Sequence, residues 1–146
     1  GQNAAVGTQN GVIEGNWLAP ANNAEACVFW QHVRLADLAA GKTAAGDINC
    51  ANGNDYMPKN AEGGVTGVQG VADFNANVIG GLRGSFVVCS SQIRGSFAKQ
   101  IDTALDDGDT ALGSVRVYKT GAAAWAATAA ITGDEDSAPY NVCLAF

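Results

Sequence analysis

One histidine, one methionine and three prolines are all this sequence holds of those residues, and charged side chains make up only 15% of it. Each scarcity narrows the chemistry. With His32 as the sole imidazole, a zinc or haem site would rest almost wholly on Cys27, Cys50, Cys89 and Cys143, which have neither CxxC nor CxxCH spacing. His32 also falls inside the apolar arc of a helix, so it is read as a neutral imidazole hydrogen-bonded locally; no nucleophile or orienting carboxylate is spaced to converge on it. Ser85, Ser90, Ser91 and Ser96 have no nucleophile-elbow setting, and nothing in the sequence brings carboxylates such as Asp107 and Asp134 together as a hydrolytic pair. The chain is expected not to be an enzyme and to need no cofactor.

Positive charge is equally thin. Eight basic residues stand against fourteen acidic ones, giving a net charge of −6, and they are scattered along the chain. No basic stripe exists to neutralise phosphates, so nucleic acid is not an expected partner. No stretch of 18 apolar residues and no secretion leader is present. The expectation for an exported chain lacking both is a processed or trimmed form.

What is abundant is small: nineteen glycines, with many alanines and asparagines, among 146 residues. Such a composition suits a rigid, turn-rich, secreted domain, and the length suits one domain spanning 1–146. Four cysteines without metal spacing are read as two disulfides in an oxidising compartment. Of three connectivities, Cys27 with Cys50 and Cys89 with Cys143 nests least and is favoured, the other two staying open.

Residues 1–21 read as a surface loop with Val12, Ile13 and Trp17 as anchors. A helix over about 23–40 follows, with Asn22 and Glu25 in capping-box positions and Gly41 as its stop. Its wheel puts Cys27, Val28, Leu35 and Leu38 on a buried arc, with Trp30, Arg34 and Asp37 on the opposite side as a surface group. Residues 42–81 are rich in Gly and Asn, and short strands are expected in parts of them, tied down by Cys50. Asp47, Asn49, Asn52, Asn54 and Asp55 make an oxygen-rich loop, read as turn residues first and a cation site second. Ser85–Ser91 is the clearest central strand. Arg83–Phe86 and Arg94–Phe97 both read RGSF, too short an echo to count as a repeat.

A second short helix is expected over about 97–107, capped by Ser96, buried through Phe97, Ile101 and Leu105, and stopped at Gly108. Asp102 and Asp106 are like charges four residues apart, and Asp106 and Asp107 sit at the negative end of the helix dipole. Asp107 and Asp109 are read first as turn residues accepting backbone amides; a calcium ion held by Asp106, Asp107 and Asp109 is the alternative, although the spacing is not that of an EF-hand loop. Strands are expected over 114–119, over the alanine-rich 122–132, and over 140–146, with an acidic loop between the last two.

Two segments carry a resemblance. Trp30-Gln31-His32-Val33 with Leu35, Ala36, Leu38 and Gly41 resembles the WQHL-x-x-AGL-x-x-G segment of bacterial type IV pilin-like proteins. Ala98, Ile101 and Asp102, followed by Asp106-Asp107-Gly108, Gly113 and Val115, resemble the A-x-x-ID-x-K-x-DDG-x-x-x-x-G-x-V segment of the same proteins. Asp37 stands where the family usually has Gly, Ala104 where it often has Lys, and the N-terminal hydrophobic helix is not in this sequence. The resemblance implies an α+β pilin-like head: an antiparallel sheet packed on the N-terminal helix, with a C-terminal region closed by Cys89 and Cys143. It implies a structural subunit of an extracellular filament on the bacterial surface, used for adhesion, motility or biofilm. Such a subunit is anchored in the inner membrane before assembly and self-assembles with other pilins through the N-terminal helix, with host or mineral surfaces as outer partners. The alternatives are a secretion-system pseudopilin and a secreted glycan- or matrix-binding module, for which Trp17, Tyr56 and Tyr140 are the candidate exposed aromatics. The family's calcium-binding loop matches neither acidic stretch, so no metal is carried over.

Overall fold

A computed structural model describes residues 10–51, 55–121, 131 and 137–146 of the chain. The fold is α+β. Three helices, α1 (Glu25–Leu35), α2 (Val71–Asn77) and α3 (Gly95–Leu105), accompany strands β1 (Thr66–Gly70), β2 (Phe86–Arg94), β3 (Val115–Lys119) and β4 (Pro139–Ala145). The strands form one antiparallel sheet in the order β1-β2-β4-β3, so the C-terminal strand is inserted between two earlier ones.

Both disulfides follow the favoured pairing, Cys27–Cys50 and Cys89–Cys143. Cys89 and Cys143 are directly opposed in the β2–β4 register, so this bond clamps the two inner strands and holds β4 against the fraying usual near a chain end. Next to Cys89 on the other side lies Gly67. It must be glycine because the Trp17 carbonyl occupies the space a Cβ would take. That close approach seats the Trp17 ring in a cluster with Val71, Phe74, Val87, Tyr118 and the Cys89–Cys143 sulfurs. The opposite face has two clusters. Trp30, Met57 and the Cys27–Cys50 pair pack on Val68 beside α1, and Ala98 of α3 packs with Val115, Val117, Tyr140 and Val142. Alternation along the strands supplies both faces: Val87 and Cys89 point to one, Val88 to the other.

Several expectations are corrected. α1 is shorter than 23–40, starting at Glu25 after an extended Ala24 with no side-chain cap. The residues expected to form its capping box are recruited by the tertiary structure: Asn22 Oδ1 accepts the Cys50 amide at 2.9 Å, and a Glu25 carboxylate oxygen accepts the Glu14 amide at 3.2 Å. The helix ends well before Gly41 because Asp37 turns into the left-handed region at φ 57. The Asp37 amide then bonds the Arg34 carbonyl and the Leu38 amide the Val33 carbonyl, the paired bonds of a Schellman stop.

Cys27 and Val28 are buried as expected, but the rest of the assignment changes. Leu38 is 78% exposed and His32 is also exposed, while Trp30 and Arg34 are buried. Arg34 reaches inward over the Tyr56 ring, 4.5 Å from its centroid, and donates to the Tyr56 carbonyl. Within 42–81, β1 matches an expected strand, but residues 71–77 are helical, with Val71 and Phe74 three apart and facing the sheet. α3 starts one residue before Ser96, which makes no capping bond, and it buries Gly95, Ala98 and Asp102. Phe97 and Leu105 of the expected stripe are exposed. Small residues at 95 and 98 let the helix backbone lie close to the sheet, which rotates the longer side chains outward. The strand expected over 122–132 and the acidic loop at 133–136 lie outside the described residues except for Ile131.

Candidate functional site

The last turn of α3 and the loop into β3 are wound tightly by acidic side chains. Asp107 Oδ1 accepts the Asp109 amide at 2.9 Å, and Asp109 Oδ1 accepts the Ala111 amide at 3.0 Å. These are successive Asx turns, as expected of the turn reading. The Arg116 side chain braces the loop from outside, donating to the carbonyls of Ala111 at 2.7 Å, Gly113 at 3.0 Å and Gly81 at 3.3 Å.

Asp106 does something different. Its Oδ2 accepts the amides of both Ser114 and Val115, the latter at 2.8 Å, and so joins the end of α3 to the start of β3. The carboxylate can sit there only because Gly113, at φ 74, has no Cβ to collide with it. Two carboxylate–amide bonds partly offset the unfavourable position of Asp106 at the negative end of the helix dipole.

One turn earlier on the same helix face is Asp102. It is 0% exposed, and neither of its side-chain oxygens has a hydrogen-bond partner among the described residues. One carboxylate oxygen from each of Asp102, Asp106 and Asp107 lies within 4.8 Å of the others. Burial pushes the Asp102 carboxyl above its ordinary range, and the charges of Asp106, Asp107 and Asp109 push the same way; the nearby Gly108 amide pulls oppositely without making a hydrogen bond. An unpartnered buried carboxylate costs several kcal/mol unless it is neutralised, by a proton or by a cation.

The acidic set proposed from spacing is therefore changed by one member. Asp106 and Asp107 are together, but the third carboxylate is Asp102, and Asp109 is turned to the Ala111 amide. The signal for Asp102 was in the sequence, four residues before Asp106. The apolar spacing of Phe97, Ile101 and Leu105 masks it, because a stripe on those residues turns Asp102 away from the sheet, whereas Phe97 and Leu105 are exposed.

The other candidates are dispersed. In the oxygen-rich loop, Asp47 pairs with Lys42 at 3.5 Å and Asp55 with Lys59 at 2.6 Å, while residues 52–54 are outside the described set. Trp17, Tyr56 and Tyr140 are all buried, so none of them is an exposed platform for a glycan ring. The four cysteines are all consumed in disulfides. Among the described residues no helix is long and apolar enough to cross a membrane. Compared with family models, with curated proteins and with solved structures, the chain gives no match.

Proposed function

We propose that this chain is the head of a structural subunit in an extracellular type IV pilus-like filament. The observation that carries the reading is where the resembling residues fall. Asp102, Asp106, Gly113 and Val115 form one continuous unit in which a helix end is bonded to the first residues of a strand. The likeness to pilin-like proteins is supported by the proximity of these positions at one helix–strand junction. Two buried disulfides support it further, since a subunit exposed outside the cell must resist unfolding and proteolysis without cellular repair. The loss of Trp17, Tyr56 and Tyr140 as surface aromatics removes the sequence support for the glycan-binding alternative.

The test uses antibodies raised against the folded domain on cells that carry the gene. Immunogold decoration along surface filaments, lost together with those filaments on deletion of the gene, is the expected result. Label confined to soluble protein in the medium, with filaments unchanged in the deletion strain, would overturn the proposal.

A further inference from the structure

We propose that the carboxylates of Asp102, Asp106 and Asp107 form a binding site for a divalent hard cation, calcium, at the junction of α3 and β3. The cluster alone would not suffice, because exposed acidic groups commonly gather in turns. What distinguishes this one is Asp102, fully buried, with no hydrogen-bond partner for either oxygen, and with an oxygen in the cluster. A buried carboxylate left in that state is relieved by a proton or by a cation, and its place among two further carboxylates supplies the donors for a cation. The charges that act on it are those of Asp106, Asp107 and Asp109, all of the same sign, while the one cation of its own helix, Lys99, lies a turn earlier.

The donor chemistry selects the ion. Three carboxylate oxygens and no imidazole or thiolate in the cluster favour a hard cation over zinc or copper. Donor atoms that all lie within 4.8 Å of one another are close enough to share one ion with a shell of radius about 2.3–2.6 Å, as calcium takes. Magnesium demands near-ideal octahedral geometry at about 2.0–2.1 Å and dehydrates reluctantly, which disfavours it where two of the three carboxylates are already fixed by backbone amides. Asp107 is exposed and Asp106 half-buried, so the site opens to solvent on one side, where water completes the six to eight ligands that calcium takes.

The site is also rigid where rigidity matters. Asp106 is held by the backbone amides of Ser114 and Val115, and Asp107 by the Asp109 amide. A cation bound here would hold the last turn of α3 to the turn that follows it, with Asp106 carrying the link on to Ser114 and Val115, and would stabilise the fold rather than support a reaction. The inference does not depend on the filament reading.

The experiment is thermal unfolding and calorimetric titration of the purified, chelator-treated protein with calcium chloride. Asp102→Asn and Asp107→Asn are the comparison variants; Asp106 is left intact because it pins β3. Calcium at a hundredfold excess over its dissociation constant is expected to raise the midpoint by on the order of 5 to 10 °C, with saturable binding at one ion per chain. Magnesium is expected to give a much smaller shift. Asp102→Asn, nearly the same shape without the charge, is expected to fold, to melt no lower than the wild type in chelator, and to lose the calcium shift; Asp107→Asn is expected to weaken binding at least tenfold. A wild-type melt unchanged by calcium would overturn the proposal, as would a calcium shift retained by Asp102→Asn or an equal response to magnesium.

Discussion

The indole N–H of Trp17 donates to the hydroxyl of Tyr118 at 3.1 Å, joining positions 101 residues apart. Trp17 belongs to the glycine-rich N-terminal loop and Tyr118 to β3, an edge strand, so this bond and the surrounding cluster fasten a segment with no regular structure onto the sheet. The Gln69 side chain reinforces it by accepting the Trp17 amide at 3.1 Å.

Replacing Trp17 should therefore destabilise the whole domain. Trp17→Ala removes a fully buried ring and leaves a cavity over the Cys89–Cys143 bridge, at a cost of about 3–5 kcal/mol. Trp17→Phe keeps most of the apolar contact but drops the donor, at about 1–2 kcal/mol. Urea unfolding followed by circular dichroism measures both. Equal losses for the two variants would mean that the hydrogen bond, not the packing, is the main contribution.

Tyr118 gives the fold an alkaline limit. Burial pushes its hydroxyl up to about 12, with the Trp17 and Asn141 side chains pulling the other way. The native state thus keeps a proton that the unfolded chain releases near the ordinary value of about 10. The contribution is complete below that value and is lost as pH rises through the window from about 10 to about 12. At pH 11 the wild type should be about 1.4 kcal/mol less stable than at pH 8 on this account, and Tyr118→Phe should flatten the slope. A pH series of chemical denaturation curves on the two proteins reads it directly, and parallel slopes would refute it.

The stop of α1 offers a stabilising change. Asp37 holds the left-handed position of the Schellman turn at φ 57, where a side chain is disfavoured by about 1 kcal/mol and glycine is not. Asp37→Gly should raise stability by about 0.5–1 kcal/mol, seen as a melting temperature higher by a few degrees. A lower melting temperature would show that Asp37 makes a compensating interaction.

The converse holds at Gly113. Alanine there is disfavoured at φ 74 and places its Cβ against the Asp106 carboxylate, so the Ser114 and Val115 amides lose their acceptor. Gly113→Ala should cost roughly 2–4 kcal/mol. Hydrogen exchange should show faster exchange at Ser114 and Val115 before the rest of the sheet is affected.

Removing the disulfides separates their roles. The Cys27–Cys50 bond has a sequence separation of 23 residues and Cys89–Cys143 one of 54, so chain-entropy reasoning assigns about 3.5 and about 4 kcal/mol respectively. Paired replacement by alanine, measured by denaturant midpoint, should follow that order. A larger loss for the shorter loop would mean that the Cys27–Cys50 bond contributes to the native packing of α1 beyond its effect on the unfolded chain.

The sequence by itself determined what depends on neighbours along the chain. Alternating apolar residues at 115–117 and 140–144 specified strands, and Asp107-Gly108-Asp109 specified a tight turn, because period and local hydrogen bonding are properties of short segments; least nesting favoured one disulfide pairing without closing the other two. Tertiary structure decided the rest. It took the Asn22 and Glu25 side chains away from the helix start they were placed to cap, turned Arg34 inward and Leu38 outward, and inserted β4 between β2 and β3. It even gave the same tetrapeptide two outcomes: RGSF at 83–86 leads into β2 with Gly84 at φ 133, whereas RGSF at 94–97 opens α3. Local propensity separates such alternatives by about a kcal/mol, and the burial of a single large side chain outweighs it. Asp102 belongs to the same class: its distance from Asp106 was legible, but whether it faced water or the sheet depended on how closely α3 packs, which the small residues Gly95 and Ala98 allow only once the sheet is there to receive them.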